Sequence, residues 1–193
     1  MHMFKRAVKG NFGYISRKRL QTAVITAVMF IISVGIVVTG YITTGTRRNL
    51  LTIVGILGLL PASKSLVSLI MLIRAVPSTK ELFDKISLLD LNLISMYDMY
   101  FTSYKKNYAV SHMTVYDSVI IGYSEVPGFD CKGCEEHIKT MLKQSGHGKI
   151  TVCLVDKLDD YLKMLSSLND KAASSDPKPT DDEIRISLYE IIL

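Results

Sequence analysis

All three cysteines of this 193-residue chain, and two of its four histidines, lie in the last third, and Cys131 and Cys134 are spaced C-x-x-C. Two thiolates at that spacing can grip one tetrahedral metal ion or cycle through a disulfide. The pair opens a segment of helical pattern, CKGCEEHIKTMLKQ. Oriented amides at a helix N-terminus lower a thiol pKa. His137 falls one turn beyond Cys134, and His147 and Cys153 are the remaining ligand types within reach of a zinc site. Zinc modules usually supply two paired knuckles, and this chain has one. A redox site of thioredoxin type needs a strand running straight into the C-x-x-C, and VPGFD intervenes. The expectation is reduced, non-catalytic thiols and no bound metal or cofactor, with Cys131, Cys134, His137 and Cys153 as the metal candidates.

Two acids, Asp117 and Glu125, flank the strand-like segment SVIIGYSE. With the helix-strand-strand-helix-strand order read below, this loosely resembles restriction-endonuclease-like domains. The resemblance implies an acid near one strand and an acid-x-Lys on the next, holding Mg²⁺ and orienting water. No acid-x-Lys follows here. The chain also has no GxxxxGK[ST], no GxGxxG, no GxSxG and no HExxH. No catalytic residue is assigned.

Charge divides the chain. Residues 1–76 hold ten Lys or Arg and no acid, whereas residues 77–193 hold thirteen Lys or Arg against eighteen Asp or Glu. The pI near 9.0 describes neither part, so overall basicity is no argument for nucleic-acid binding. No charge occurs from Leu20 to Thr46, and a second apolar run, LLTIVGILGLLPASKSLVSLIMLI, covers 50–73. Crossing a hydrocarbon layer of ~30 Å takes about 20 helical residues. Both runs suffice, and the short link between them forces an antiparallel hairpin. The first run is too long for a signal peptide and is followed by no A-x-A site.

Pro61 and Lys64 interrupt the second run. Proline should kink the helix or start a new one. A lysine that deep is a functional candidate, unless a break at Pro61 opens it to water. Six Lys or Arg precede residue 20, two (Arg47, Arg48) lie in the link, and Arg74, Lys80 and Lys85 follow the second run. The positive-inside rule then puts both termini in the cytoplasm of a multi-pass plasma-membrane protein. The basic arm, with Phe4, Phe12 and Tyr14 among its charges, is expected on anionic headgroups.

Beyond Pro77, Ser78 and Glu81 fit a capping box. Apolar residues at Leu82, Ile86, Leu89, Leu93, Met96 and Tyr100 follow intervals of 4, 3, 4, 3, 4, which predicts one helix. Strands are predicted at 108–116, 118–125 and 149–155, a helix at 131–144 capped by Asp130, and another after Asp156. The expected fold is a membrane-anchored α/β chain. It comprises a basic arm (1–19), a two-helix transmembrane hairpin (20–75), a small α-β-β-α-β-α cytoplasmic domain (78–168), a flexible linker (169–182) and a C-terminal helix (183–193) whose Ile184, Leu188, Ile191 and Ile192 should dock on protein.

The pattern of basic arm, tight hairpin with a Pro-Ala-Ser-Lys interruption, and small α/β domain resembles small bacterial inner-membrane proteins with two transmembrane helices and unassigned function. GYITTGTRRNLLTIVGILGLLPASKS (40–65) is its most distinctive stretch. That resemblance implies no activity. The reading reached is a non-enzymatic, membrane-anchored interaction or regulatory module, with the lipid bilayer and a protein partner or second copy as its contacts and no nucleic acid. The alternatives are a membrane-tethered hydrolase or nuclease, and an oligomeric hairpin with a polar path at Lys64.

Overall fold

The computed structural model describes residues 7–46, 49–89, 91–104, 106–173 and 179–193. Expectations about Phe4, Lys5, Arg6, Arg47 and Arg48 lie outside the described residues. The chain forms two units, one of Ile15–Ala75 and one of residues through Tyr14 together with Val76–Leu193.

The first unit holds two helices, α1 (Tyr14–Thr44) and α2 (Leu50–Arg74). Both are long and apolar enough to cross a membrane. They pair antiparallel in one register. Arg19 donates to the carbonyls of Leu72 (3.1 Å) and Ala75 (3.0 Å), so a cation satisfies the last carbonyls of α2. Further along, Thr26 Oγ1 meets Ser65 Oγ at 2.7 Å. Gly58 faces Ser33, and a Cβ on Gly55 would lie 2.4 Å from Val37 Cγ2 and 2.9 Å from the Ser33 carbonyl oxygen. Small residues let the backbones meet, as dry helix packing requires. Asn49 caps α2 by accepting from the Thr52 amide, and its Nδ2 donates to the Gly40 carbonyl. α2 runs unbroken through Pro61, so the expected restart there does not occur.

The second unit is built on a mixed sheet of β1 (Ile94–Thr102), β2 (Asn107–Tyr116), β3 (Val119–Tyr123) and β4 (Thr151–Val155), in the order β1-β2-β3-β4. The first three strands are antiparallel, and β4 runs parallel to β3. Helices α4 (Cys131–Gln144) and α6 (Pro179–Ile191) cover one face through Cys134, Ile138, Leu142, Ile184, Leu188 and Ile192. Helices α3 (Lys80–Ser87) and α5 (Leu158–Ala172) cover the other through Leu82, Ile86, Tyr161 and Leu165. The unit therefore has three layers.

The expected long helix after Pro77 is corrected. It stops at Ser87, and Ile94–Thr102 is a strand. The misleading spacing has a physical origin. Met96 and Met99, three residues apart, both enter the α4/α6 core, which an alternating strand forbids. Asp98 between them adopts φ +56 and resets the alternation. Opposite it, Val110 and Met113 show the same jump on β2. A strand with its parity broken once reads as 3-4 spacing.

Smaller corrections follow the same logic of tertiary partners. Ser78 does not cap α3; Thr79 does, accepting from the Leu82 amide. Ser78 instead donates its amide to Asp98 Oδ1 at 2.7 Å, and its hydroxyl lies 2.6 Å from the Ser111 carbonyl. The N-cap of α5 is Lys157 and not Asp156, and α5 extends through residues expected as linker. In the described part of the arm, Gly10 bridges to Tyr97 of β1, and Phe12 stacks on Phe83 at 4.5 Å.

Candidate functional site

Each chemistry-bearing group named from the sequence has a definite place. Cys131 and Cys134 do stand at the N-terminus of α4, with Asp130 accepting from the Gly133 amide at 3.0 Å. The helix dipole does not win there. Burial raises the Cys134 thiol pKa far above its ordinary value, and the neighbouring Asp130 and Glu135 add to it. Burial, then Asp156 and Glu135, also raises Cys131. Burial there opposes the lowering that a helix N-terminus provides. Cys153 packs in the α3/α5 core, across the sheet from Cys131 and Cys134. His137 stacks on Tyr108, and His147 Nε2 pairs with Ser187 Oγ at 3.1 Å. Among the described residues, no three His, Cys, Asp or Glu side chains converge as a metal seat.

The two acids of the nuclease reading are used elsewhere. Asp117 is in the β2–β3 turn and Glu125 lies beyond the far end of β3, so the length of that strand separates them by about 20 Å. Glu125 accepts from the Thr79 amide (2.9 Å) and hydroxyl (2.6 Å). It fastens the start of α3 to the sheet. Strand β3 itself reads Val-Ile-Ile-Gly-Tyr. The element order behind the likeness to restriction-endonuclease-like domains also changes, because β1 puts a third strand ahead of α4.

Three groups that sequence reasoning missed form the polar interior. His112 is fully buried on β2, and its Nδ1 lies 2.5 Å from Tyr161 Oη on α5. Burial pulls its pKa down to about 3, so the ring is neutral. Asp181 of α6, also buried, accepts from the amides of Asp117 (3.0 Å) and Ser118 (3.1 Å). Those two residues form a two-residue hairpin turn with φ +48 and +61. Asp98 is the third. Nothing local marks any of them, because each partner is distant in sequence.

A surface cavity of about 190 Å³ is lined by Lys139, Thr140, Lys143, His147, Gly148 and Ile150. The Thr140 hydroxyl is spent on the Glu136 carbonyl, and His147 on Ser187. Lys143, in the last turn of α4, complements the negative end of that helix.

Lys64 is the remaining candidate named from the sequence. It is exposed on α2, one residue from the inward-facing Ser65, and ringed by exposed Leu57, Leu60 and Val67. Residues 15–75 contain no acid. The chain matches no protein-family model, and comparisons with curated proteins and with solved structures found no match.

Proposed function

We propose that this chain is a membrane-anchored, non-catalytic module, in which a two-helix hairpin holds a three-layer α/β domain at the cytoplasmic face for contact with another protein. The observation that carries the reading is burial. Only 17% and 11% of the most apolar windows of α1 and α2 are covered by protein. A core helix of a soluble domain is mostly buried, whereas these helices expose Ile31, Ile42, Leu50 and Leu60. Lipid is the solvent that such surfaces require, and helices satisfy their own backbone within it.

Sidedness rests on charge. Arg17, Lys18, Arg19 and Arg74 gather at one end of the hairpin, and that end is cytoplasmic by the positive-inside rule. The non-catalytic part rests on where the candidate groups are spent. Burial raises the Cys134 thiol, Glu125 is held by the Thr79 amide and hydroxyl, and the neutral His112 bonds Tyr161. The terminal helix packs Ile184 and Leu188 into its own core and leaves Ile186 exposed to a partner. Leu88, 84% exposed at the end of α3, and Tyr104, fully exposed at the β1–β2 tip, remain for one.

The test is alkaline carbonate extraction of membranes carrying the full chain, followed by protease treatment of sealed vesicles of known orientation. Retention in the pellet, with the sheet domain cut only when the cytoplasmic face is accessible, is expected. Release into the supernatant refutes the anchor, and digestion from the opposite face refutes the sidedness.

A further inference from the structure

This inference rests on the membrane reading above and concerns Lys64. The helix is continuous from Leu50 to Arg74, so no break at Pro61 lets water reach the ammonium. Lys64 lies ten residues from Arg74 and fourteen from Leu50. At ~1.5 Å per residue these are about 15 and 21 Å, which is mid-depth in a layer of ~30 Å.

Escape to the surface is poor in both directions. Helical Cα–Cβ bonds tilt toward the helix N-terminus. That aims the stem of Lys64 away from the nearer, Arg74 end and toward the farther one. A four-carbon stem spans only a fraction of that distance. The face around it is mostly apolar: Leu57, Leu60, Pro61 and Val67 are exposed, with half-buried Ser68 one turn on. Ser65, which faces α1, is already bonded to Thr26.

A mid-membrane cation requires a counter-charge or a wet path. The hairpin supplies no acid, because residues 15–75 contain none. A second copy meeting through this face would set Lys64 against Lys64. We propose that Lys64 and the stripe Leu57, Leu60 and Val67 form the docking face for a transmembrane helix of a different protein, one that carries an Asp or Glu at mid-depth. Charge complementarity fixes the chemistry of the partner, and the apolar residues around the lysine fix that it is a lipid-embedded helix.

The experiment is photo-crosslinking of the full chain in the membranes of the cells that make it, with a diazirine residue at Val67, in otherwise native, Lys64→Met and Lys64→Arg backgrounds. The proposal expects an adduct to an apolar span of another protein with Asp or Glu within one turn of its centre. The yield should fall at least tenfold in Lys64→Met and stay within about twofold in Lys64→Arg. Adducts to this chain itself, to lipid alone, to a span without an acid, or no protein adduct at all, overturn it; so does an unchanged yield in Lys64→Met. Carbonate extraction of the same membranes separates the two readings. A chain retained in the pellet with no such adduct sinks the docking face alone, whereas a released chain sinks the anchor with it.

Discussion

The ammonium of Lys9 donates to the backbone carbonyl of Tyr189 at 2.6 Å, across 180 positions of sequence, and also to the carbonyl of Ile192 at 2.9 Å. The first oxygen belongs to the last turn of α6 and the second lies just past it, where carbonyls have no helical partner and a cation is favoured. Next to it, Gly10 has φ +80, and a Cβ there would lie 2.1 Å from Tyr189 Oη. The Gly10 carbonyl accepts from the Tyr97 amide, and the Leu193 amide donates to the Tyr100 carbonyl. The two chain ends together close the outer edge of β1, which would otherwise present an open row of backbone groups.

Replacing Lys9 by Met should therefore loosen both ends at once. We expect a loss of about 1–2 kcal/mol, from hydrogen bonds to a charged donor, with faster amide exchange in residues 184–193. Gly10→Ala should cost more, because it needs both a positive φ and space that Tyr189 occupies. Unchanged exchange at the C-terminal residues in Lys9→Met would refute the clamp.

Asp181 holds the Asp117–Ser118 turn through two backbone amides while buried at 1% exposure. Removing the carboxylate in Asp181→Ala leaves both amides in a half-closed site. The expected loss is about 2–4 kcal/mol, read from thermal or denaturant unfolding in detergent. Ser118→Gly, at φ +61, should be neutral or stabilising by about 0.5–1 kcal/mol, since glycine accepts that backbone without strain.

His112 makes stability fall with acid. Its folded pKa of about 3 lies below the ordinary histidine value, so the unfolded chain binds the proton first. The contribution is complete above about pH 6.5 and is lost as pH falls toward 3, at about 1.4 kcal/mol per unit. Melting the native chain and His112→Gln between pH 7 and 4.5 should show a steeper decline in the former, by roughly 2–3 kcal/mol at the acid end. Parallel curves would show that this imidazole takes no part.

In the hairpin, Gly55 is the point of closest approach, with no room for a Cβ beside Val37 and Ser33. Cysteines placed at Thr26 and Ser65, whose hydroxyls now meet at 2.7 Å, should oxidise readily to a disulfide. Adding Gly55→Leu should separate the helices and cut that yield several-fold. Equal yields, measured by gel shift after mild oxidation, would mean the helices pair through another face.

What could be read in advance divides along a physical line. The apolar stretches behind α1 and α2 were legible because spanning capacity depends only on run length and helical rise. The bounds of α4 and its Asp130 cap were legible because the cap bonds to an amide three residues away. Strand β1 was not, because the reset at Asp98 mimics helical spacing and is held by Ser78 from outside the strand. The functional weight of each polar side chain was hidden for the same reason. Glu125 is visible in the sequence only as an acid flanking a strand, and the fold gives both of its oxygens to Thr79; a helix N-terminus by itself would lower the thiol pKa at α4, and the fold adds the burial that raises it.

By itself, then, the sequence determined two apolar helices long enough for lipid, an acidic α/β remainder, and the uncompensated charge of Lys64, since composition and period are local properties. Only the tertiary structure decided which face Lys64 occupies, that α2 stays intact at Pro61, and that the two chain ends bind one another. Those depend on contacts between residues tens to hundreds of positions apart, and no window of sequence contains both partners.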